Sequence, residues 1–347
     1  MTENTNTIDI AALAPYLAEQ IDGFGHLKQV EKFSGGQSNP TYRLTSDTGQ
    51  YVLRAKPPGE LLKSAHQVDR EYRVMKALQD TDVPVPKMLH LGDEDNPIGR
   101  MFFVMEFLDG RILWDPALSE IPGDDNAQRG AIYDAMNSAL AALHSVDPAS
   151  VGLEDFGVPG NYFARQLSRW SKQYVASEID HNEDMHVLIK WLEDNMPEDD
   201  GQVSLVHGDY RLDNMVFSNT DTTILGILDW ELSTLGHPLA DLAYQCMQWR
   251  LPNAGSFRGL AGVDRQARGI PTEKEYVSAY CKRRGIEEIE NWFFYVAFSF
   301  FRLGAILQGV YKRSVDGNAS NPEKAKLYGA AVPVLSQMAM TMIREEN

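Results

Sequence analysis

Cysteine is scarce in this chain: two residues, Cys246 and Cys281, in 347. That is too few for a disulfide framework, and their spacing matches no thiolate metal site, which suits a reducing compartment. Positive charge is also short, with 32 Lys and Arg against 49 Asp and Glu and a net charge of -17. No basic cluster interleaved with aromatics breaks that balance, so nucleic acid is excluded as a partner and an anionic lipid surface would repel the chain. The acidic surface could draw a cationic substrate or serve solubility alone. The most apolar stretch, 292–310, carries Arg302 at its centre and reads as a buried core helix, not a membrane span. The opening MTENTNTIDI has neither the basic n-region nor the apolar h-region of a secretory signal, so a cytoplasmic protein is expected. Repeats and low-complexity segments are absent too.

What the chain contains is material for a core, 43% hydrophobic residues against 23% charged. At this length two packed lobes are expected in place of one unit. Runs 30–34, 41–46 and 51–56 are rich in β-branched or aromatic residues and are separated by GGQSNP and SDTGQ, which predicts an antiparallel meander. A helical pattern follows over 61–80, then strands over 88–91 and 101–107. From residue 116 onward the periodicity predicts helices over 125–145, 161–177, 181–195, 272–284, 289–312 and 322–343. Small strands at 203–206, 215–217 and 224–228 interrupt them. The class is α+β, with a strand-rich lobe over 1–108 and a helix-rich lobe over 109–347. Segment 252–271, rich in glycine and small residues, is the best candidate for a mobile loop.

Chemistry concentrates in HGDYRLDN, residues 207–214, and in Asp229, which closes the apolar run ILGIL. Phosphoryl transfer requires one carboxylate to orient the acceptor hydroxyl and take its proton, and oxygen ligands that hold Mg²⁺ on the phosphates. Asp209, Asn214 five residues on, and Asp229 supply those types. Their order follows the protein-kinase elements H-R-D-x-x-x-x-N and D-F-G, with Gly208 in place of Arg. Asp and Asn are ordinary turn residues too, so it is the set, downstream of a strand-rich lobe, that carries the assignment.

HGDYRLDN followed by LDWE resembles the aminoglycoside phosphotransferase and choline kinase-like branch of the kinase fold, over nearly the whole chain. The resemblance implies a protein kinase-like two-lobe fold, ATP and Mg²⁺ as cofactors, and Asp209 as the catalytic base. It implies Asn214 and Asp229 as Mg²⁺ ligands and His207 as a support of the loop. Asp241, in GHPLADLAY, matches a family aspartate that buttresses that loop. His144 and His237 read as packing or capping histidines.

The amino-terminal half bears on the nucleotide. SGGQSNPTYRL joins two strands through a glycine turn that would set the backbone N–H groups of Ser34, Gly35 and Gly36 over the phosphates; a plain hairpin loop has the same composition. On the third strand Val52, Arg54 and Lys56 share a face, so parity does not choose the phosphate-binding cation. The family pattern implies Arg54, whose guanidinium can grip phosphate oxygens bidentately. Glu71 falls three residues after Val68 and four before Met75, on the apolar stripe of its helix, where a carboxylate needs a cationic partner. The strand cation would be that partner, and a surface pairing with Arg70 or Arg73 is the alternative. Backbone groups of Glu106, Phe107 and Leu108 would bind the adenine edge, as in relatives.

The segments YVLRAKPPG, SAHQVDREYRVMKAL, GRILWDP, NYFARQLSRWSKQY, TLGHPLADLAY, GIPTEKEYVSAYCKR and FRLGAILQGVYKRS resemble the kinase-like domain fused to animal acyl-CoA dehydrogenases and its stand-alone bacterial relatives. That subgroup implies a small-molecule hydroxyl substrate, a hydroxyacyl compound such as a hydroxyacyl-CoA. Arg111, Arg165 and Arg302 are candidates to meet an acid or the phosphates of coenzyme A, although solvated helix faces carry such charges as well. Arg302 differs because its run is otherwise apolar and a buried guanidinium requires an anion. An aminoglycoside or other amino-alcohol kinase and a nucleotide-binding pseudokinase are the alternatives, and no residue pattern names an oligomeric state.

Overall fold

The computed structural model describes residues 8–33, 39–59, 66–254, 257–317 and 322–346. In chain order the first elements are α1 (Ile10–Gln20), β1 (Leu27–Lys32), β2 (Thr41–Ser46), β3 (Gln50–Ala55), α2 (Val68–Leu78), β4 (Met88–Gly92) and β5 (Phe102–Glu106). Then follow α3 (Asn126–Ser145), α4 (Tyr162–Ser177), α5 (Glu183–Asp194), β6 (Ser204–Val206), a 3-10 turn at Leu212–Asn214, β7 (Met215–Phe217) and β8 (Ile224–Ile227). A 3-10 turn at Trp230–Leu232 leads to β9 (Thr234–Gly236), α6 (Leu239–Cys246), a 3-10 turn at Met247–Trp249, and α7 (Arg265–Arg268). The chain ends with α8 (Glu273–Arg284), α9 (Trp292–Val315) and α10 (Pro322–Glu346). The predicted strands and long helices are all present, displaced by a few residues at their ends. The first half of the helix expected over 61–80 lies largely outside the described residues.

The chain divides into two compact units, one of residues 1–112, 151–153 and 214–233 and the other of 113–150, 154–213 and 234–347. The first unit is built on an antiparallel sheet ordered β1-β2-β3-β5-β4. Alternation sorts its side chains. Leu53 and Ala55 of β3 join Leu13, Leu17, Phe24, Leu44, Phe102 and Val104 in one buried cluster, which α1 covers. Val52 and Arg54 have the opposite parity and share the other face with their cross-strand partners Met105 and Phe103. On that side α2 packs against β4 and β5, with the Tyr72 and Phe103 rings 6.4 Å apart.

Helix α1 is not predicted by the meander reading. Asp9 caps it by accepting from the amides of Ala11 and Ala12 at 2.9 and 3.3 Å. Its apolar residues Leu13 and Leu17 are one turn apart and buried. Pro15 inside it obscures the pattern in the sequence.

The hairpin β7–β8 belongs to the first unit, although it lies beyond the boundary expected at residue 108. The reason is a main-chain bridge: Arg111 and Phe217 exchange both N–H···O bonds at 2.8 Å. The Ile227 amide donates to Pro84 O at 2.9 Å as well. The first unit therefore runs to residue 112 and takes in 214–233.

In the second unit α9 packs against α4, α5, α6 and α10. Among the described residues it is the one helix long and apolar enough to cross a membrane, yet 72% of its most apolar window is buried within the protein. Phe163 of α4 meets the rings of Tyr162, His237, Phe294, Tyr295 and Phe298 there. His237 stacks on Tyr295 and is a packing histidine, as expected. Segment 252–271 is not a structureless loop, because it carries α7, started by Asp264 and ended by Gly269 in the left-handed region at φ +68°.

The bridge to the hairpin demands a close approach at Gly110, where a Cβ would lie 2.4 Å from Phe217 O and 2.6 Å from Val216 Cγ1. The Gly110→Ala variant is expected to lose about 1–3 kcal/mol of stability, the usual cost of overpacking against backbone. Urea denaturation reads this as a lower midpoint at unchanged slope, and a wild-type midpoint would show that the hairpin is not anchored there.

Candidate active site

On β3 it is Arg54, not Lys56, that meets the helix carboxylate. Its Nε lies 2.9 Å from Glu71 Oε2, and Glu71 has 1% of its side chain exposed. Its Nη2 lies 2.8 Å from Asp229 Oδ1 and 3.9 Å from Glu231 Oε2. Burial pushes the Glu71 carboxyl up to about 7; Arg54 works against this, while Asp229 and Glu231 add to it. Asn39, 1% exposed, donates from Nδ2 to the second Glu71 oxygen at 2.9 Å. Asn39 in turn meets His66 Nδ1 at 3.0 Å through its Oδ1. Sequence reasoning did not single out Asn39; the signal available was its position between the glycine turn and Pro40. Ser34, Gly35 and Gly36 lie outside the described residues.

Asn214 and Asp229 come from the same end of one hairpin. Met215 of β7 pairs with Ile227 of β8, and one step further the Leu228 amide donates to Asn214 O at 2.8 Å. Asp229 follows at once in the left-handed region, φ 65° and ψ 59°, a conformation that Asp tolerates better than most residues and that marks functional strain elsewhere. An amide oxygen and a carboxylate are hard donors of the kind Mg²⁺ takes. Three carboxylates, Glu71, Asp229 and Glu231, face one guanidinium here, and that excess of negative charge suits a divalent cation. The donor set therefore fits the metal.

At the end of β5, the Glu106 amide donates to Lys87 O at 2.9 Å and the Glu106 carboxylate accepts from the Lys87 amide at 2.7 Å. Its N–H is thus committed to the sheet. Arg43 lies over the Phe107 ring at 5.4 Å, and Leu108 O accepts from the Gly110 amide at 3.0 Å.

In the second unit a buried carboxylate organises the His207–Gly208–Asp209 loop. Asp241, 1% exposed on α6, accepts the amides of His207 at 2.6 Å and Gly208 at 2.8 Å. Gly208 turns the loop at φ +84°, and the Asp209 amide donates to His207 Nδ1 at 3.2 Å. The Tyr210 hydroxyl ties the loop to Met136 O at 2.7 Å. His144 Nε2 lies 3.4 Å from Asp241 Oδ2, and its Nδ1 is 2.7 Å from the Tyr280 hydroxyl. A carboxylate only accepts, so Nε2 carries the proton and the neutral ring satisfies both partners. Burial alone would raise the Asp241 carboxyl, but the hydrogen bond from His144 and the backbone donors hold it below its ordinary range. Burial lowers His144 despite Asp241.

Asp209 itself is held on both oxygens. The Tyr244 hydroxyl donates to Oδ1 at 2.9 Å, and Arg211 Nε lies 3.3 Å from Oδ2 while its Nη2 lies 3.1 Å from Asp213. Tyr244 was not foreseen, yet it follows Asp241 by three residues on α6 and so shares its face. The arrangement presents an oriented carboxylate that can accept a proton from a hydroxyl.

The three basic acceptor candidates differ. Arg111 donates to Asp221 O at 3.2 Å, and Arg165 donates to the carbonyls of Val158 and Pro159, so both have local backbone partners. Arg302 is buried on α9 without an ion pair among the described residues. A cavity of about 750 Å³ in the second unit, lined by Tyr133, Asn137, Arg265 and Tyr276 among others, contains none of the residues assigned to chemistry.

A family model described as "Phosphotransferase enzyme family" matches residues 29–276. The chain is similar to acyl-CoA dehydrogenase family member 10 of Mus musculus, 46% identical over 317 residues that make up 91% of this chain and 29% of that protein. Acyl-CoA dehydrogenase family member 11 of Homo sapiens is 40% identical over 345 residues, 96% of this chain and 43% of that protein. The chain thus spans less than half the length of these relatives. A solved structure from Ralstonia eutropha, provisionally assigned as an aminoglycoside phosphotransferase, is 46% identical at a TM-score of 0.87, over 98% of this chain and 99% of that one. A mutant of aminoglycoside phosphotransferase APH(4)-Ia, solved with AMP-PNP and hygromycin B, shares the fold at 14% identity and a TM-score of 0.62, over 96% of this chain and 98% of that one. The expected α+β, kinase-like fold is the fold of this chain.

Asp241→Asn is expected to destabilise the protein by about 3 kcal/mol, because an amide nitrogen replaces an oxygen that buried N–H groups require. The Asp241 carboxyl is depressed in the folded state, so its contribution is complete above the unfolded value of about 3.9 and is lost as pH falls through the lower folded value. His144, also depressed, makes the folded protein lose stability as pH falls below about 6.5, where the unfolded chain takes up the proton first. Urea midpoints of the two proteins across acidic pH should therefore converge. A gap that stays constant down to strong acid would remove the Asp241 charge from the explanation.

Proposed function

This chain belongs to the phosphotransferase enzyme family, and from that premise we propose that it transfers the γ-phosphoryl group of ATP to the hydroxyl of a hydroxyacyl compound, such as a hydroxyacyl-CoA. The observation that carries the kinase reading is the buried Arg54–Glu71 pair whose guanidinium also reaches Asp229. A strand cation held by a helix glutamate next to a metal-type aspartate is the arrangement that positions nucleotide phosphates.

In this reading residues 1–108 form the nucleotide-binding lobe and 109–347 the catalytic and acceptor-binding lobe. Arg54 binds phosphate oxygens, Glu71 and Asn39 hold Arg54 in place, and the amides of Ser34, Gly35 and Gly36, which lie outside the described residues, would serve the phosphates. The main chain of Phe107 and Leu108 and the carbonyl of Glu106 meet the adenine edge, the Glu106 N–H being engaged by Lys87. Asn214 and Asp229 would hold Mg²⁺, which when bound neutralises charge on the phosphates. Asp209, oriented by Tyr244 and Arg211, accepts the hydroxyl proton while the acceptor oxygen forms its bond to the γ-phosphorus and the bond to the ADP oxygen breaks. His207 and Asp241 position that carboxylate through the loop backbone. The names of the curated relatives support an acyl acceptor, since both are acyl-CoA dehydrogenase family members.

The test is consumption of ATP with Mg²⁺ across hydroxyacyl-CoAs, hydroxy acids, aminosugars and amino alcohols. Turnover is expected with an acyl acceptor, abolished by EDTA and reduced roughly a thousandfold in Asp209→Asn, the scale of a lost general base. Turnover confined to aminosugars would replace the acyl reading with the amino-alcohol one. Tight Mg·ATP binding without turnover on any acceptor would make the chain a pseudokinase, and an undiminished Asp209→Asn would remove the base.

A further inference from the structure

The corner between α4 and α5 carries a cluster of side chains that phosphoryl transfer does not use. Glu178 ends α4, His181 lies in the short connection, and His186 is in the opening turn of α5. In sequence they read E-x-x-H-x-x-x-x-H. One atom of each, a carboxylate oxygen and two imidazole nitrogens, lies within 4.8 Å of the other two. His186 Nε2 is 3.0 Å from both Glu178 oxygens, and His181 Nδ1 is 3.8 Å from Glu178 Oε1. The two imidazole rings stack at 4.8 Å and 23°, and each directs a nitrogen at the same carboxylate.

An ordinary ion pair needs one histidine beside the carboxylate, and the hydrogen bonds here do more than form one. Glu178 Oε1 accepts from the Tyr174 hydroxyl at 3.1 Å and from the Asn182 amide at 3.0 Å. Those two donors orient the carboxylate. His181 Nε2 lies 3.0 Å from Glu183 Oε2. A carboxylate only accepts, so Nε2 holds the proton and the neutral ring keeps a lone pair on Nδ1. That lone pair faces a carboxylate oxygen at 3.8 Å, beyond hydrogen-bond distance. Two electron-rich atoms turned toward one another call for a cation between them. A histidine whose second nitrogen donates to a carboxylate is also the usual outer support of a metal ligand. The side chains of His181, His186 and Glu178 are 65%, 34% and 16% exposed, so an ion can enter from water.

We infer that Glu178, His181 and His186 form a Zn²⁺ site. Two imidazoles and one carboxylate, with a fourth position left to water, are a donor set that Zn²⁺ takes, whereas Mg²⁺ and Ca²⁺ prefer oxygen alone. Ligand atoms around a tetrahedral Zn²⁺ stand roughly 3.4 Å apart, and the site reaches that spacing by rotation of His181, the most exposed of the three. His186 binds through Nε2 once its proton sits on Nδ1. The ion joins the end of α4 to the start of α5, two helices that both pack on α9, and so clamps this corner of the second unit. The site shares no residue with those assigned to phosphoryl transfer and does not depend on the kinase reading.

The test is titration of the EDTA-treated full chain with ZnCl₂, followed by calorimetry and by thermal melting. The wild type should bind one more Zn²⁺ per chain than the double variant His181→Ala/His186→Ala. Glu183→Gln should keep the site but weaken it roughly tenfold to a hundredfold, the scale of a lost outer support. Zinc at about a hundredfold excess over Kd should raise the wild-type melting temperature by roughly 3–5 °C, reversibly with EDTA, and leave the double variant unmoved. Equal zinc binding by the two proteins would overturn the inference. So would a wild-type melting temperature indifferent to zinc, or a histidine-dependent shift that Ca²⁺ reproduces. Both histidines reach solvent, so the metal-free double variant should melt close to the wild type. If it melts well below because Glu178 has lost a hydrogen bond, anomalous scattering from zinc-soaked wild-type crystals decides. A peak at bonding distance from Glu178, His181 and His186 supports the site; a peak elsewhere, or none, overturns it.

Discussion

Glu71 sits on the apolar stripe of α2 with 1% of its surface exposed, and the placement of the first unit's parts follows from satisfying that one carboxylate. Arg54 comes to it from β3, which locks the helix against a particular register of the sheet. Asn39 comes from the chain just before β2 and takes the other oxygen. Because the same guanidinium reaches Asp229, the end of the β7–β8 hairpin is tied into the network as well. Removing one partner of such a pair strands a buried charge, which typically costs about 3–5 kcal/mol. The network also gathers three carboxylates, Glu71, Asp229 and Glu231, around one guanidinium.

The second unit uses a buried carboxylate differently. Among the described residues Asp241 meets no arginine; its oxygens take two consecutive loop amides and a neutral histidine. Such a carboxylate shapes backbone, and it bends HGD so that Asp209 is displayed and held by Tyr244 and Arg211. The two carboxylates thus divide the labour, Glu71 placing a cation and Asp241 placing a loop.

Much of this was legible in the chain. The helical spacing of Val68, Glu71 and Met75 exposed a carboxylate in need of a partner, and HGDYRLDN pointed to the reaction type in company with Asp229 and the Arg54 and Glu71 candidates. The limits were physical. Parity put Arg54 and Lys56 on one face; resemblance favoured Arg54, and the physical separation came from the packing of the sheet against α2. Asn39 and Tyr244 are common polar residues whose role exists only through a neighbour distant in sequence. Helix α1 was hidden by Pro15 and by a polar approach. The joint at residue 108 was read from local composition, whereas a main-chain bridge from Arg111 to Phe217 draws 214–233 into the first unit.

The sequence by itself determined the run of strands followed by long helices, the net negative charge, and which groups are candidates for the chemistry. These depend on periodicity, charge and spacing, which are local properties of a chain. Tertiary structure alone decided that Asn39 shares Glu71 with Arg54, that Tyr244 and Arg211 hold Asp209, and which basic candidates are already engaged. Arg111, Arg165 and Arg302 are equivalent as letters. They separate only when folding supplies carbonyls to the first two and buries the third beside the rings of Trp170 and Tyr244.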